Sequence, residues 1–512
     1  MRVPLTVNDF MERAELVYGE RIGLVDEPDQ PAASWGSGTW REIAGRARAQ
    51  AAGLDALGVA AGERVAIVSQ NSARLFTSLF GVSGSGRVLV PINFRLSADE
   101  ISYIVDHCGA SMLLVDPELD DALASVQAKC RIVLGAEGDA ELYRYGVEPE
   151  PWATPDEDAT ATINYTSGTT ARPKGVQMTH RNIWVNATTF GWQALVNDRD
   201  VYLHTLPMFH CNGWGMTYAV TGMGGQHVVL RKVDGAEILR RVDAHGVTLL
   251  CGAPAVVNAV LDAAQEWSGD IPGHGRTRII VAGAPPPTRT IERVETDLGW
   301  EFIQIYGLTE TSPLLTMNRG RAEYDALTPP ERAQRLGRAG APALGVRLSV
   351  DAEGEVLAAS NVVMAGYWEQ PEQTGEAIHD GWFHTGDGGS IDDEHYLTIA
   401  DRKKDVIISG GENVSSIEVE DCIFSHPAVV EVAVVGVPHE KWGETVMALV
   451  VVAPGATLDE NQVIEHCRAH LAHFKCPTTV EFRDSLARTA TGKLQKFKLR
   501  APYWEGRDRL VN

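Results

Sequence analysis

GERVAIVSQNSARLFTSLFGVSGSGRVLVPIN, residues 62–93, holds a β-branched run, a stretch of helical period and a second apolar run from Val88 to Pro91. That order predicts strand, helix, strand, the βαβ unit of a parallel sheet. Apolar runs of the same kind recur at residues 111–115, 201–206, 226–230, 247–251, 278–281 and 302–305, most of them separated by helical segments. The expectation is a large, mostly parallel α/β architecture. Farther on, GVRLSV and GEVLAAS are parted by DAEGE within residues 338–364, a turn-rich spacing that suits a small antiparallel or barrel-like subdomain. The segment IADRKKDVIISGGENVSS then combines a charge cluster, a β-branched run and a glycine pair. A domain boundary is expected near Lys404.

With 512 residues, the chain has the length of two to four domains and enough material for a large core. Its 44% hydrophobic and 22% charged residues exclude collagen-like, low-complexity and predominantly disordered readings. A net charge of -23 repels nucleic acid and anionic lipid over the molecule as a whole. Any polyanion must therefore meet a locally built site. The last forty residues supply one source of positive charge, nine Lys and Arg against four Asp and Glu. The N-terminus MRVPLTVNDFMERAELVYGERIG lacks the apolar core of a signal peptide, and no apolar stretch reaches the ~18 residues of a membrane span. The terminal RDRLVN matches no lipidation or peroxisomal address. A cytoplasmic protein without stable membrane insertion is expected, with a homodimer as the default quaternary state. The seven cysteines are scattered and form no CxxC pair, a pattern that points to reduced structural thiols and to no zinc site.

Five stretches carry chemistry. YTSGTTARPKGVQMTH, residues 165–180, has the Gly/Ser/Thr turn and following lysine of an anion nest. Its spacing is not the Walker pattern. IYGLTETSP, residues 305–313, begins at the C-terminal end of an apolar run, where ligand crevices of α/β sheets open. Tyr306 there suits stacking on a base, Thr309 donation to a phosphate, and Glu310 a Mg²⁺ ion. In GWFHTGDGG, residues 381–389, Asp387 sits in a glycine turn and is suited to two ribose hydroxyls. DRKKDVIISGGENV, residues 401–414, and ARTATGKLQKFKLR, residues 487–500, complete the series. Each alone has a plain structural alternative: a solvated turn, a helix cap for Thr309 and Glu310, or a solvated lysine.

Together, in this order, the five motifs resemble the adenylate-forming superfamily of acyl-CoA synthetases, firefly-type luciferases and nonribosomal adenylation domains, over essentially the whole chain. PMFHCNGWG, residues 207–215, is similar to the acyl-CoA synthetase branch. The resemblance implies an α/β fold: an AMP-binding N-terminal domain of residues 1–400, a hinge at 401–404 with Lys404 at the pivot, and a small mobile α+β domain of residues 405–512. It implies ATP and CoA as co-substrates, Mg²⁺ as cofactor and a small carboxylic acid as partner. Lys493 matches the adenylation lysine, Glu310 the magnesium ligand and Thr309 an α-phosphate contact. Thr166, Ser167, Gly168, Thr169, Thr170 and Lys174 match the phosphate loop. Gly283, Ala284 and Pro285 match the adenine wall beside Gln304, Tyr306 and Gly307, while Asp387 and Arg402 match the ribose clamp. Gly410 and Gly411 match the surface that meets the pantetheine arm of CoA. His210 matches an aromatic gate, and Cys211, Gly213 and Trp214 line the acid pocket.

Three residues depart from the family pattern. Ala171 and Ala282 stand where glycines are common, and Ala487 where a proline is common. The implied reaction is ATP-dependent acid:CoA ligation through an acyl adenylate, on a short- to long-chain fatty acid or a related aryl or thioether acid. Two other readings stay open: transfer of the acyl group to a carrier-protein phosphopantetheine, and a catalytically weak acyl or nucleotide sensor.

Overall fold

Ser72 caps the helix Ala73–Gly81 by accepting from the Leu75 amide, and every residue of that helix is buried. In a computed structural model of the protein, it joins the strands Arg64–Val68 and Val88–Ile92, which pair in parallel as the sequence predicts. The structure describes residues 1–166, 172–402, 405–409, 412–439, 442–488 and 494–505, without the side chains of residues 401, 402 and 413.

Among the described residues the strands form sheets of seven, nine, five and five. In the seven-stranded sheet, Val65 and Ile67 face one apolar cluster and Ala66 and Val68 another. A strand buried on both faces reads as a continuous apolar run, which is why residues 64–68 announce themselves. The nine-stranded sheet repeats the device: Ile280 and Ile303 join the cluster shared with the first sheet, whereas Ile279, Val281 and Phe302 face the opposite side. Two departures from parallel pairing matter for the site. Lys174–Thr179 runs antiparallel to Thr160–Thr166, and Thr316–Arg319 runs antiparallel to Glu301–Tyr306.

The expected subdomain is a five-stranded antiparallel sheet in which Arg347–Val350 pairs with Glu355–Ala359 across the DAEGE turn. Leu397–Arg402 belongs to this sheet and Ile407–Ser409 to the next. Lys404 itself lies outside the described residues. In the C-terminal sheet the long strands Val429–His439 and Gly443–Val452 pair antiparallel, with the helices Ser416–Phe424 and Glu460–His470 supplying residues to the apolar cluster that also takes in the sheet. Among the described residues no helix is long and apolar enough to cross a membrane.

Three buried histidines set the response of this fold to acid. Burial pushes His180 down to about 4 and His204 to about 3. His227 is held well below its ordinary 6.5, by burial first and by neighbouring His204 second. Each stays neutral in the native state and takes a proton in the unfolded chain. Their contribution is therefore complete above pH 6.5 and is lost as pH falls toward the native values. With about three protons taken up on unfolding, stability falls by roughly 4 kcal/mol per pH unit near pH 5. Urea unfolding midpoints measured from pH 7 down to about pH 5 are expected to drop steeply; a flat profile contradicts neutral native histidines.

Candidate active site

The strands Arg278–Val281 and Glu301–Tyr306 are parallel neighbours and end on the same edge of the nine-stranded sheet. Gly283, Ala284 and Pro285 follow the first strand in exposed positions, and Tyr306 closes the second. Gly283 has a φ of +97°, a conformation open to glycine at little cost. Ala282 is buried and is not in the left-handed region, so its departure from the family pattern carries no backbone strain. Gln304 lies in the same strand as Tyr306 and two residues before it, and its buried Oε1 has no hydrogen-bond partner.

Tyr306 Oη donates to Asp387 Oδ2 at 2.8 Å. Asp387 is buried in the strand Trp382–Ile391 and faces Arg402 as its cross-strand neighbour. The sheet register thus brings together the stacking ring and both residues expected to clamp the ribose.

Past Tyr306 the chain turns sharply. Leu308 N donates to Thr311 Oγ1 at 2.9 Å, and Leu315 N returns to Tyr306 O at 2.9 Å. Thr309, Glu310 and Thr311 form a single 3-10 turn, so neither Thr309 nor Glu310 caps a longer helix. Tyr367 Oη donates to Glu310 Oε1 at 2.9 Å, and Lys174 Nζ lies 4.6 Å from the centre of the same tyrosine ring. Burial, reinforced by the Glu310 carboxylate, raises the Tyr367 phenol above its ordinary value, so it remains a donor.

Thr166 and Lys174 are cross-strand partners, and they bracket the expected phosphate loop. Ser167, Gly168, Thr169, Thr170 and Ala171 lie outside the described residues. So do Lys493, Gly410 and Gly411. Arg488 and Leu494 form an antiparallel bridge, and Gln495 N donates to Ala487 O at 2.8 Å. The segment carrying Lys493 is therefore rooted on the C-terminal domain, and Ala487 packs there against an apolar cluster. That domain also touches the large one a few residues after Gly283, Ala284 and Pro285: Asp421 accepts from Thr288 N at 2.9 Å and Thr288 Oγ1 at 3.0 Å.

Residues 211–215 form an unusual turn. Cys211, Asn212, Gly213, Trp214 and Gly215 have φ values of +48°, +53°, +69°, +59° and +82°, a left-handed run that disfavours side chains by roughly 1–2 kcal/mol per residue. Buried amides hold it. Asn212 Nδ2 donates to Thr162 Oγ1 at 3.0 Å, while its Oδ1 accepts from Asn164 Nδ2 at 3.2 Å. Asn186 donates to Trp214 O at 3.3 Å and accepts from Leu314 N at 3.1 Å, tying this turn to the one after Tyr306. Cys211 Sγ donates to Thr309 Oγ1 at 3.3 Å. His210 is half-buried at the head of the run, whereas Trp214 is buried within the main core.

The site therefore joins Thr309, Glu310, Cys211, Lys174, Tyr306 and Asp387. Tyr367, Asn164, Asn186 and Asn212 were not visible as functional positions, since each gains its role from a partner distant in sequence.

The same arrangement of parts is found among known proteins. The AMP-binding enzyme family matches residues 18–368, and the AMP-binding enzyme C-terminal domain matches residues 418–493. A 2-methylpropanoate–CoA ligase of Humulus lupulus is 37% identical over 97% of this chain and 95% of its own length. A 4-hydroxybutyrate–CoA ligase of Metallosphaera sedula is 36% identical over 96% of this chain and 93% of its own. Among solved structures, ATP-bound MatB from Rhodopseudomonas palustris superposes with a TM-score of 0.85 at 31% identity, over 97% of this chain and 99% of that one. The anthranilate CoA ligase AuaEII in complex with anthranoyl-AMP gives 0.87 at 25% identity, over 98% and 99%. Matched over both of its parts and by relatives that span nearly its whole length, the chain belongs to the AMP-binding enzyme family, whose adenylate-forming members include these CoA ligases.

Proposed function

We propose that the chain is an ATP-dependent acid:CoA ligase that forms an acyl adenylate and pyrophosphate, then acyl-CoA and AMP. The observation that carries this reading is the convergence at the Thr309–Glu310 turn. Cys211 of the acid segment meets Thr309 at 3.3 Å, and Tyr367, stacked under Lys174 of the phosphate-loop strand, meets Glu310 at 2.9 Å. A carboxylic acid in the acid segment is then adjacent to the α-phosphate.

In the first half-reaction a carboxylate oxygen attacks the α-phosphorus and pyrophosphate leaves. Anion meets anion, so the barrier is electrostatic and orientational. Thr309 donates to the α-phosphate, Lys174 and the phosphate loop hold the leaving group, and Lys493 brings positive charge to the α-phosphate. Asp387 and Arg402 clamp the ribose while Tyr306 stacks on the base, and Gln304 Oε1 offers an acceptor to an exocyclic amine. Glu310 fits Mg²⁺: its Oε1 is fixed by Tyr367, and a carboxylate oxygen is the hard donor this ion selects. Bound there, Mg²⁺ supplies positive charge beside the phosphates. In the second half-reaction the C-terminal domain turns at Lys404, withdraws Lys493 and presents Gly410 and Gly411 to the pantetheine arm. The CoA sulfur then attacks the acyl carbon and AMP leaves with its phosphate oxygen. This step rests on orientation and on exclusion of water.

His210 gates the tunnel, and Cys211, Gly213 and Trp214 shape the acid pocket. The buried Trp214 ring, together with relatives named for 2-methylpropanoate and 4-hydroxybutyrate, supports the short end of the range of acids. A cytoplasmic location belongs to the same proposal, although two Arabidopsis thaliana relatives are named peroxisomal.

The test is AMP formation with ATP, Mg²⁺ and a panel of straight-chain, branched, hydroxylated, aryl and thioether acids, with and without CoA, products identified by mass spectrometry. AMP and acyl-CoA that appear together and require both acid and CoA bear the proposal out, with short acids ahead of long ones. Accumulation of acyl-AMP that CoA does not relieve points to a carrier-protein acceptor, and ATP binding without activation of any acid points to a sensor.

Asp387→Ala checks the ribose clamp. It removes a buried charged acceptor and the hydrogen bond from Tyr306 Oη, a loss of about 1.5–3 kcal/mol per charged hydrogen bond. KM for ATP is expected to rise by roughly ten- to a hundredfold, with kcat less affected. A change confined to the acid's KM contradicts this placement.

A further inference from the structure

The helices Ser416–Phe424 and Glu460–His470 pack side by side in the C-terminal domain. Where they meet, Cys422, His466 and His470 each offer one ligand atom, and these atoms all lie within 4.8 Å of one another. His466 and His470 are four residues apart on one helix and so share a face. We propose that this cluster binds a borderline-soft divalent transition metal of the Zn²⁺ or Co²⁺ type through the Cys422 sulfur and one nitrogen of each histidine, leaving a fourth position open to solvent.

The hydrogen bonds decide which nitrogens are available. Ser425 has one hydroxyl proton and gives it to Cys422 O at 2.6 Å. Both Ser425 Oγ and Cys422 O are then acceptors toward His466 Nε2, at 2.9 and 3.0 Å. Nε2 therefore carries the ring proton and Nδ1 carries the lone pair. In His470, Nδ1 lies 2.8 Å from His466 O, which fixes its proton there and leaves the lone pair on Nε2. One N–H anchored on a backbone carbonyl, with the other nitrogen available, is how metal-ligating imidazoles are held. His426 is arranged otherwise: its Nδ1 accepts from Ala428 N at 3.2 Å and its ring meets His466 edge-on, centroids 5.2 Å apart. It forms a wall of the site.

The sulfur lies in the last turn of the Ser416–Phe424 helix, where Cys422 belongs to the apolar cluster that both helices share. One thiolate and two imidazoles suit Zn²⁺, Co²⁺ or Ni²⁺ and not Mg²⁺, which requires oxygen. Tetrahedral coordination needs ligand atoms about 3.5 Å apart. The remaining closure falls to His470, which is exposed at the end of its helix. Binding releases the Cys422 proton to solvent and cross-links two helices that lie far apart in sequence. The sequence expectation of no zinc site came from the lack of a CxxC pair. Here a lone cysteine is completed by a His-x₃-His pair on another helix.

The experiment is titration of the full, thiol-reduced chain with Co²⁺ in excess Mg²⁺, followed by the d–d and thiolate-to-cobalt absorption bands. One equivalent is expected to bind with both bands and to be displaced by Zn²⁺. Cys422→Ser abolishes the charge-transfer band. His470→Gln, at an exposed side chain the fold does not need, weakens Co²⁺ binding at least about tenfold. Cys467→Ser keeps the band. The proposal is overturned if the unaltered chain shows no charge-transfer band, if His470→Gln binds Co²⁺ unchanged, or if the band depends on Cys467 instead of Cys422.

Discussion

Gly307→Ala is expected to cut acid-dependent pyrophosphate release by at least about a hundredfold. A Cβ built on Gly307 falls 1.5 Å from Pro313 O and 2.7 Å from Pro313 C. Both are backbone atoms and cannot be rotated away. The φ of Gly307 is not in the left-handed region, so close approach, not conformational freedom, demands glycine here. Pro313 O also accepts from Thr311 Oγ1 at 2.8 Å, and Thr311 is fully buried. Relief of the clash must therefore open the turn that carries Thr309 and Glu310. Displacement of reacting groups by about 1 Å costs on the order of a hundredfold. Gly320→Ala is the control: nothing lies within 4 Å of its Cβ and its backbone is not left-handed, so it should be neutral or stabilise by about 0.4–1 kcal/mol. Adenylation by Gly307→Ala at the unaltered rate, with the protein folded, would falsify the claim that this turn positions the α-phosphate contact.

The contrast between these two glycines shows where sequence reading succeeds and where it stops. Residues 64–68 and 278–281 were legible as strands because both faces are buried, which leaves an unbroken apolar run. Tyr306, Glu310 and Asp387 were legible because short motifs fix their spacing. The antiparallel pairing of Lys174–Thr179 with Thr160–Thr166 was not, since the intervening loop reads as a phosphate nest in either topology. Nor was the left-handed run at 211–215. Cysteine and tryptophan avoid that region, and the run is sustained by its own buried Asn212 amide, bonded to Thr162 and Asn164, and by Asn186, all partners from distant segments. Tyr367 escaped notice for the same reason: its phenol acquires meaning from Glu310, 57 residues earlier in the chain. Ala282 stands where a glycine is common, and the structure puts the positive φ on Gly283 beside it.

Lys493→Ala is expected to separate the two half-reactions. Pyrophosphate release dependent on the acid should fall by about a hundred- to a thousandfold, the usual cost of removing one preorganised donor from a developing anion. Conversion of supplied acyl-AMP and CoA to acyl-CoA should persist within about threefold, because in the proposed second half-reaction the C-terminal domain has turned and Lys493 is withdrawn before AMP departs, so its charge is not felt in that transition state. The fold is not at stake. The segment bearing Lys493 is closed at its base by the Arg488–Leu494 bridge and by Gln495 N to Ala487 O. Beneath it Leu486, Leu494 and Leu499 pack on the sheet through Val435 and Leu449. Thermal unfolding of Lys493→Ala is expected to be unchanged, and its measurement separates a lost charge from a lost fold. Lys493→Arg keeps the charge in a broader fork and should restore part of the first half-reaction without altering the second. Equal loss of both steps in Lys493→Ala removes the reason for a domain that turns between them, and with it the assignment of Lys404 as the pivot.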